Sequence, residues 1–418
     1  MISRDRAAVD LKTELLCRTA NFRHGVVLPP QRVRRTLADP VGLSNIAIPQ
    51  NSPEPWRSSA GGIGRTERAA ELAAIGEALE RYSAFAFALS KRRRGELAGR
   101  DVLELARFSL HSEEQRAKPG FPYGELYGDG LEYTNVFSLT DNAEAWVPAV
   151  LVGLGGGHGS VTTSSGLASE RSGHVALLRA VQELVERDAL MVTWLHGVPG
   201  RRVVLPDLYA DPVDALGGEA VCIDATPDYS AHPVALVCGQ LPLRGRPRYS
   251  LGAACRETWE SAVEKAYLEW IQGVVFVGYH LMYNPGVEFE DARDVRTFDD
   301  HAVYYTIRPE EWQKIPLLRG ETVVRESDGP DATVDSLAGL ARGLSARGIA
   351  VYYRDVTTSD LRQLGLSVIR ALSPHLAPIN CDQEWPFLGG TAADVGMRYP
   401  WASGLELCFP NPYPHPLG

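Results

Sequence analysis

Ile75-Gly76-Glu77-Ala78-Leu79-Glu80-Arg81-Tyr82-Ser83-Ala84 and Val181-Gln182-Glu183-Leu184-Val185-Glu186-Arg187-Asp188-Ala189-Leu190 are two versions of one pattern, each built on ExxER. Residues i and i+3 share a helix face, so Glu77 with Glu80, and Glu183 with Glu186, each present two neighbouring carboxylates. A single ExxER on a helix reads as a solvated face braced by i,i+4 pairs. The repeat weighs against that, because both copies are set among apolar residues (Ala78, Leu79, Leu184, Val185), where charge must be compensated. Four converging carboxylates suit a hard, oxygen-seeking cation such as Mg2+, whose shell is commonly completed by phosphate oxygens, and Arg187 suits a phosphate.

The sequence on either side frames these two segments as long helices. Thr66 is the N-cap of the first, which runs to about Leu89, with Lys91, Arg92, Arg93 and Arg94 near its end to complement the helix dipole. The second helix spans Gly173 to His196 and carries Leu177, Leu178, Val181, Leu184 and Val185 as its apolar stripe. Both follow stretches rich in Gly and Ser/Thr, Ser58 to Gly64 and Ser160 to Gly166, which read as loops able to offer hydroxyl and N–H donors to a phosphate. Ala145 to Leu154 predicts a buried strand broken early by Pro148. Further strands are expected over 220–223, 234–240, 249–254, 351–353 and 368–372, with a third long helix from Thr258 to Val277. Residues 1–55, Arg-rich and punctuated by proline, predict an extended arm or short strands. Residues 285–345 are acidic and irregular in pattern, which predicts an insertion or surface subdomain. No linker divides the rest, so the fold class is one α/β unit over 56–418.

Composition narrows the functions. With 42 Lys and Arg against 52 Asp and Glu in 418 residues, the net charge is −10, and no general basic field exists to hold a nucleic acid. The opening MISRDRAAVDLK lacks the apolar core of a secretory signal, so the cytoplasm is the expected location. No apolar run approaches the ~20 residues that span a bilayer, so no membrane association is expected. Six cysteines form no CxxC pair, and neither HExxH nor GxxxxGK[ST] occurs, which excludes a zinc ribbon, a zincin and a Walker-type nucleotide site. Any nucleotide is held in another way.

Taken together these segments resemble the YcaO-domain family. Ser164-Ser165-Gly166-Leu167-Ala168-Ser169, Ala176-Leu177 and the ExxER copy continuing into Asp188-Ala189 are similar to its SxGLAS…AL…ExxERDA signature. Gly62-Ile63-Gly64 with Glu77-Ala78-Leu79-Glu80-Arg81-Tyr82-Ser83 resembles its upstream GxG…EAxERYS segment. Gly252-Ala253-Ala254 with Ala266, Leu268, Glu269 and Gln272 looks like its third helix. Asp355-Val356-Thr357, Val368-Ile369-Arg370, Pro374-His375-Leu376-Ala377-Pro378 and Arg398 look like its carboxy-terminal half. Pro412-Tyr413-Pro414-His415-Pro416, within a proline-rich tail over 408–418, resembles the PxPxP ending of its azoline-forming members.

The resemblance implies a YcaO-like fold of mixed sheets and long helices, and an ATP- and Mg2+-dependent cyclodehydratase. In such an enzyme a Cys, Ser or Thr of a ribosomally synthesised precursor peptide adds to the preceding amide, ATP phosphorylates the resulting oxyanion, and elimination leaves a thiazoline or oxazoline. Carried over residue by residue, it implies Mg2+ at Glu77, Glu80, Glu183 and Glu186, ATP also at Ser164, Ser165, Arg187 and Gln272, and the terminal carboxylate of Gly418 as proton acceptor. It further implies a separate leader-binding E1-like protein, a flavin-dependent dehydrogenase where azoles are the end product, and a homodimer. Ala73, Val175 and Val274 stand where the family often has Ser, Glu and Arg, and the tail ends Leu417-Gly418 rather than in proline. Two alternatives therefore accompany the main reading: thioamide or amidine formation at the same site, and a non-catalytic YcaO-like subunit.

Overall fold

A computed structural model describes residues 18–21, 25–48, 60–154, 161, 163–325 and 336–417. Helix α1 (Glu67–Ala86) begins at Thr66, whose Oγ1 accepts from Ala69 N at 3.1 Å, and it stops short of Leu89 where Phe87 turns extended. Helix α2 (Gly173–Leu195) carries the second ExxER copy. Helix α3 (Trp259–Tyr283) starts at Thr258, which accepts from Ser261 N, and continues past Val277. A fourth helix, α4 (Phe298–Ile307), opens with a Thr297/Asp300 capping box.

Three sheets surround these helices. Strands β1 (Gln31–Arg32), β2 (Ser44–Ile48) and β3 (Ala60–Gly64) form the first. The stretch read as a Gly-rich loop before α1 is thus partly a strand. Next along the chain come β4 (Arg92–Arg93), β5 (Glu132–Ser138), β6 (Glu144–Pro148) and β7 (Leu167–Glu170). The run expected as one strand to Leu154 ends at Pro148, which has no N–H to extend the ladder, and continues as a 3-10 turn over Ala149–Leu151. Strands β8 (Arg201–Val203), β9 (Glu219–Asp224), β10 (Val234–Leu243) and β11 (Arg246–Cys255) make a four-stranded sheet in the order β11-β10-β9-β8. With β12 (Tyr352–Asp355) and β13 (Ser367–Leu372), the remaining strands form a six-stranded sheet ordered β4-β5-β12-β13-β7, with β6 on β5. All these pairings are antiparallel.

Helix α1 packs on β3 and β7, α2 on β7, β13 and β11, and α3 on β10 and β11. The contact of β3 with α1 is close enough to demand glycine: a Cβ on Gly62 would stand 2.2 Å from Ala70 O and 2.4 Å from Ala74 N. The described parts of the 285–345 segment, 285–325 and 336–345, do not stand apart as a surface subdomain. Val295, Val303, Tyr305, Ile315, Leu340 and Leu344 share one core with Val181, Leu190 and Trp194 of α2. Helix α4 buries His301 through Thr306, so it shows no polar face for a periodicity argument to detect. The proline-rich tail is also embedded. Trp194 Nε1 donates to Tyr413 O (2.7 Å), Tyr305 OH to Pro414 O (2.6 Å) and His301 Nδ1 to His415 O (2.8 Å). Among the described residues no helix is long and apolar enough to cross a membrane.

Candidate functional site

The four glutamates of the repeat all lean on strand backbone. Glu77 Oε2 accepts from Gly61 N of β3 at 2.7 Å, and Glu80 Oε1 from Ser169 N of β7 at 2.8 Å. Glu183 Oε2 accepts from Gly166 N, just ahead of β7, and Glu186 Oε2 from Cys255 N at the end of β11, both at 3.3 Å. Each carboxylate therefore has one oxygen committed to an N–H, and together they tie α1 and α2 to three different sheets. Arg81 pairs with Glu77 Oε1. Arg187 Nη2 faces Glu183 Oε1 and Glu186 Oε1, each at 3.6 Å.

Burial makes this concentration of charge costly. Burial, then the neighbouring Glu183 and Glu77, push the Glu80 carboxyl well above the usual carboxylate range. Glu183 is also raised, chiefly by burial and by Glu269, against the pull of Arg187. Burial, opposed by Arg187 and reinforced by Glu269 and Glu183, pushes Glu186 up to about 8. Glu269 on α3 is the exception: despite burial, Lys265 at 3.0 Å and Arg187 hold it below its ordinary value. A group of acids with raised protonation is a site short of positive charge, and its oxygen-only donors match the preference of Mg2+. Their N–H donors come from β3, β7, the turn ahead of β7 and the end of β11, and Glu80 still feels the charges of Glu183 and Glu77. Among the described residues no three His, Cys, Asp or Glu side chains are gathered to hold a metal ion by themselves.

The other expected residues lie close by. Gln272 of α3 reaches β3, where a Cβ on Gly61 would sit 2.6 Å from its Nε2. Ser164 O accepts from Leu167 N, and Ser165 is buried with its carbonyl held by Arg370. Gly418 lies outside the described residues, as do Ser160 and Thr162. Ala73 and Val175 are half-buried and Val274 wholly buried, so the positions that differ from the family pattern are packed as apolar ones. Three residues given no role from sequence belong here. Glu269 and Lys265 form an i,i+4 pair that looks solvated on paper and is brought to Glu186 only by the packing of α3. Arg370 donates to Leu151 O (3.0 Å), Ser165 O (2.8 Å) and Thr163 O (2.9 Å), and burial lowers its pKa to about 10 while Glu183 opposes the fall.

The family model for YcaO cyclodehydratase, ATP- and Mg2+-binding, matches residues 61–377. No curated protein matches the chain. A heterocyclase in complex with substrate and cofactor superposes with a TM-score of 0.74 at 19% identity, over 97% of this chain and 57% of that one. This chain thus spans little more than half of that heterocyclase. YcaO from Methanopyrus kandleri bound with AMPPCP and Mg2+ gives 0.63 at 17% identity, over 90% and 91% of the two chains. The E. coli microcin synthetase McbBCD complex gives 0.59 at 15%, over 85% and 90%. At such identities the structural likeness is one of fold. The family match covers most of the chain, including both ExxER helices and α3, and the protein belongs to the YcaO cyclodehydratase family, whose members bind ATP and Mg2+.

Proposed function

We propose that this protein uses ATP and Mg2+ to activate backbone amides of a ribosomally synthesised precursor peptide in the cytoplasm, closing Cys, Ser or Thr onto the preceding carbonyl as thiazoline or oxazoline. One observation carries the reading: both ExxER copies are kept intact in a partly buried setting where three carboxyls sit above their ordinary pKa. Natural cores seldom retain such a group without a cation to match it. Glu77, Glu80, Glu183 and Glu186 would hold Mg2+, with Arg187, Gln272, Ser164 and Ser165 at ATP. Bound Mg-ATP would supply the phosphoryl group that turns a poor leaving oxygen into a good one, and the metal would neutralise charge during transfer.

The chain's own residues then have distinct tasks. Backbone N–H groups fix one oxygen of each glutamate, so the other is pre-aimed and loses little freedom on binding. Arg187, set between Glu183 and Glu186, keeps its charge and lies where phosphate oxygens would meet it. Partners on this reading are the precursor peptide, a leader-binding E1-like protein and, for azoles, a flavin-dependent dehydrogenase. Neighbours named as a heterocyclase with substrate and as McbBCD with pro-MccB17 bound support a peptide substrate and partner proteins. Calorimetry with Mg-ATP tests the reading: saturable, Mg2+-dependent binding lost in Glu80→Gln and Glu186→Gln is expected. No binding by folded protein, with or without its partner, would point to a non-catalytic subunit. Product mass then separates loss of water from exchange of oxygen for sulfur.

A further inference from the structure

Between α2 and the end of β13 lies a cavity of about 60 Å³. Phe108, Leu110, Leu151, Leu184, Leu372 and Leu376 give it an apolar wall, and its two charged members are Arg187 and Arg370. The two arginines differ in what they have left to offer. Every nitrogen of Arg370 already donates to a backbone carbonyl. Arg187 has Nη2 turned to Glu183 and Glu186, while its Nε is buried and has no acceptor. Buried donors are rarely left unbonded, so an acceptor oxygen is missing at the polar edge of an apolar cavity.

A peptide residue supplies both parts, a carbonyl oxygen for the Arg187 N–H and, on the adjoining Cα, a side chain for the apolar wall. The size limits that side chain. About 60 Å³ is well below the ~150 Å³ that admits a benzene ring. We propose that this cavity seats the substrate residue that carries the activated carbonyl, the one preceding the cyclising Cys, Ser or Thr, and that it accepts only short side chains such as Ala or Val. This rests on the amide-activating reading above. It adds a substrate class: precursor peptides with small residues immediately before each modified position.

The test uses saturation-transfer NMR on the full chain without nucleotide, with the N-acetyl methylamides of alanine, valine and phenylalanine as probes. Transfer to the alanine and valine probes is expected, with the phenylalanine probe roughly 10-fold weaker. Leu110→Phe and Leu376→Phe, on separate wall segments and each checked for cooperative thermal unfolding, should abolish the signal of the small probes. Equal transfer to all three probes, transfer to none, or a small-probe signal that survives both fillings would overturn the proposal. If neither variant folds, the size series on the wild-type chain decides. Because no ATP is present, a failure of Mg-ATP binding would sink amide activation while leaving the cavity result to stand or fall by itself.

Discussion

The two ExxER copies share a pattern and occupy different ground. On α1, Glu77, Glu80 and Arg81 each keep some contact with solvent, and the residue after the arginine, Tyr82, makes one hydrogen bond to Asp360 at 2.7 Å. On α2, Glu186 is buried and the residue after the arginine, Asp188, is sealed completely. Asp188 accepts from Tyr229 OH (2.7 Å), Ala377 N (2.7 Å), and Arg398 Nη2 and Nε (2.6 and 3.0 Å), with both charged side chains fully buried. Both copies are thus tied to the carboxy-terminal half through the same register position, one by an adjustable contact and one by a locked ion pair. The difference teaches that a repeated motif need not carry repeated energetics: burial decides how much each charge matters.

The hardest blow to this contrast is Asp188→Ala. It leaves the Arg398 charge buried and unpaired, and should cost about 3–5 kcal/mol in denaturant unfolding. A loss below about 1 kcal/mol would mean that the second copy is no more locked than the first. Next is Arg187→Met against Arg81→Met, read as Mg-ATP affinity. Losing a charged donor at Arg187 should weaken binding about 10- to 100-fold, whereas Arg81, which pairs with Glu77 and keeps some contact with solvent, should matter less. Equal losses would make the two copies functionally symmetric.

A subtler separation comes from pH. With Glu186 protonated up to about 8, the folded chain holds a proton that the unfolded chain releases near the ordinary value of 4.5. Stability from this group is therefore complete below that ordinary value and drains away as pH rises through 8. Glu186→Gln removes the slope, so in the absence of Mg2+ the variant should melt higher than wild type at pH 8.5 and level with it near pH 5. A pH-independent offset would show that burial is not what sets this carboxyl apart. The smallest effect is expected from Tyr82→Phe, which removes the partly exposed bond to Asp360 at about 0.5–1.5 kcal/mol. A larger loss would make the α1 anchor a second lock.

The helices were legible because their signals are local: Thr66 before an apolar period, and an ExxER repeat that does not depend on tertiary context. Other features were hidden for identifiable reasons. Strand β7 is only four residues long and follows Gly166, whose φ of 79° belongs to a turn, so it falls unassigned between the stretch read as loop and α2. Helix α4 is buried on most sides and offers no alternation of polar and apolar residues. In the site, the acid residues could be nominated from spacing, but their backbone anchors come from strands 16 to 89 positions away. Glu269 illustrates the limit, since nothing in Lys265-Ala266-Tyr267-Leu268-Glu269 tells a solvated surface pair from a half-buried one at the site.

The Asp188–Arg398 pair also says something about time. Its members are 210 residues apart, and synthesis places α2 outside the ribosome long before Arg398 has been made. Until then Asp188 has no counter-ion, and the turn of α2 that holds Glu183, Glu186 and Arg187 lacks its final brace. The brace on Asp188 thus arrives last, after the four glutamates and the N–H groups that anchor them have all been made.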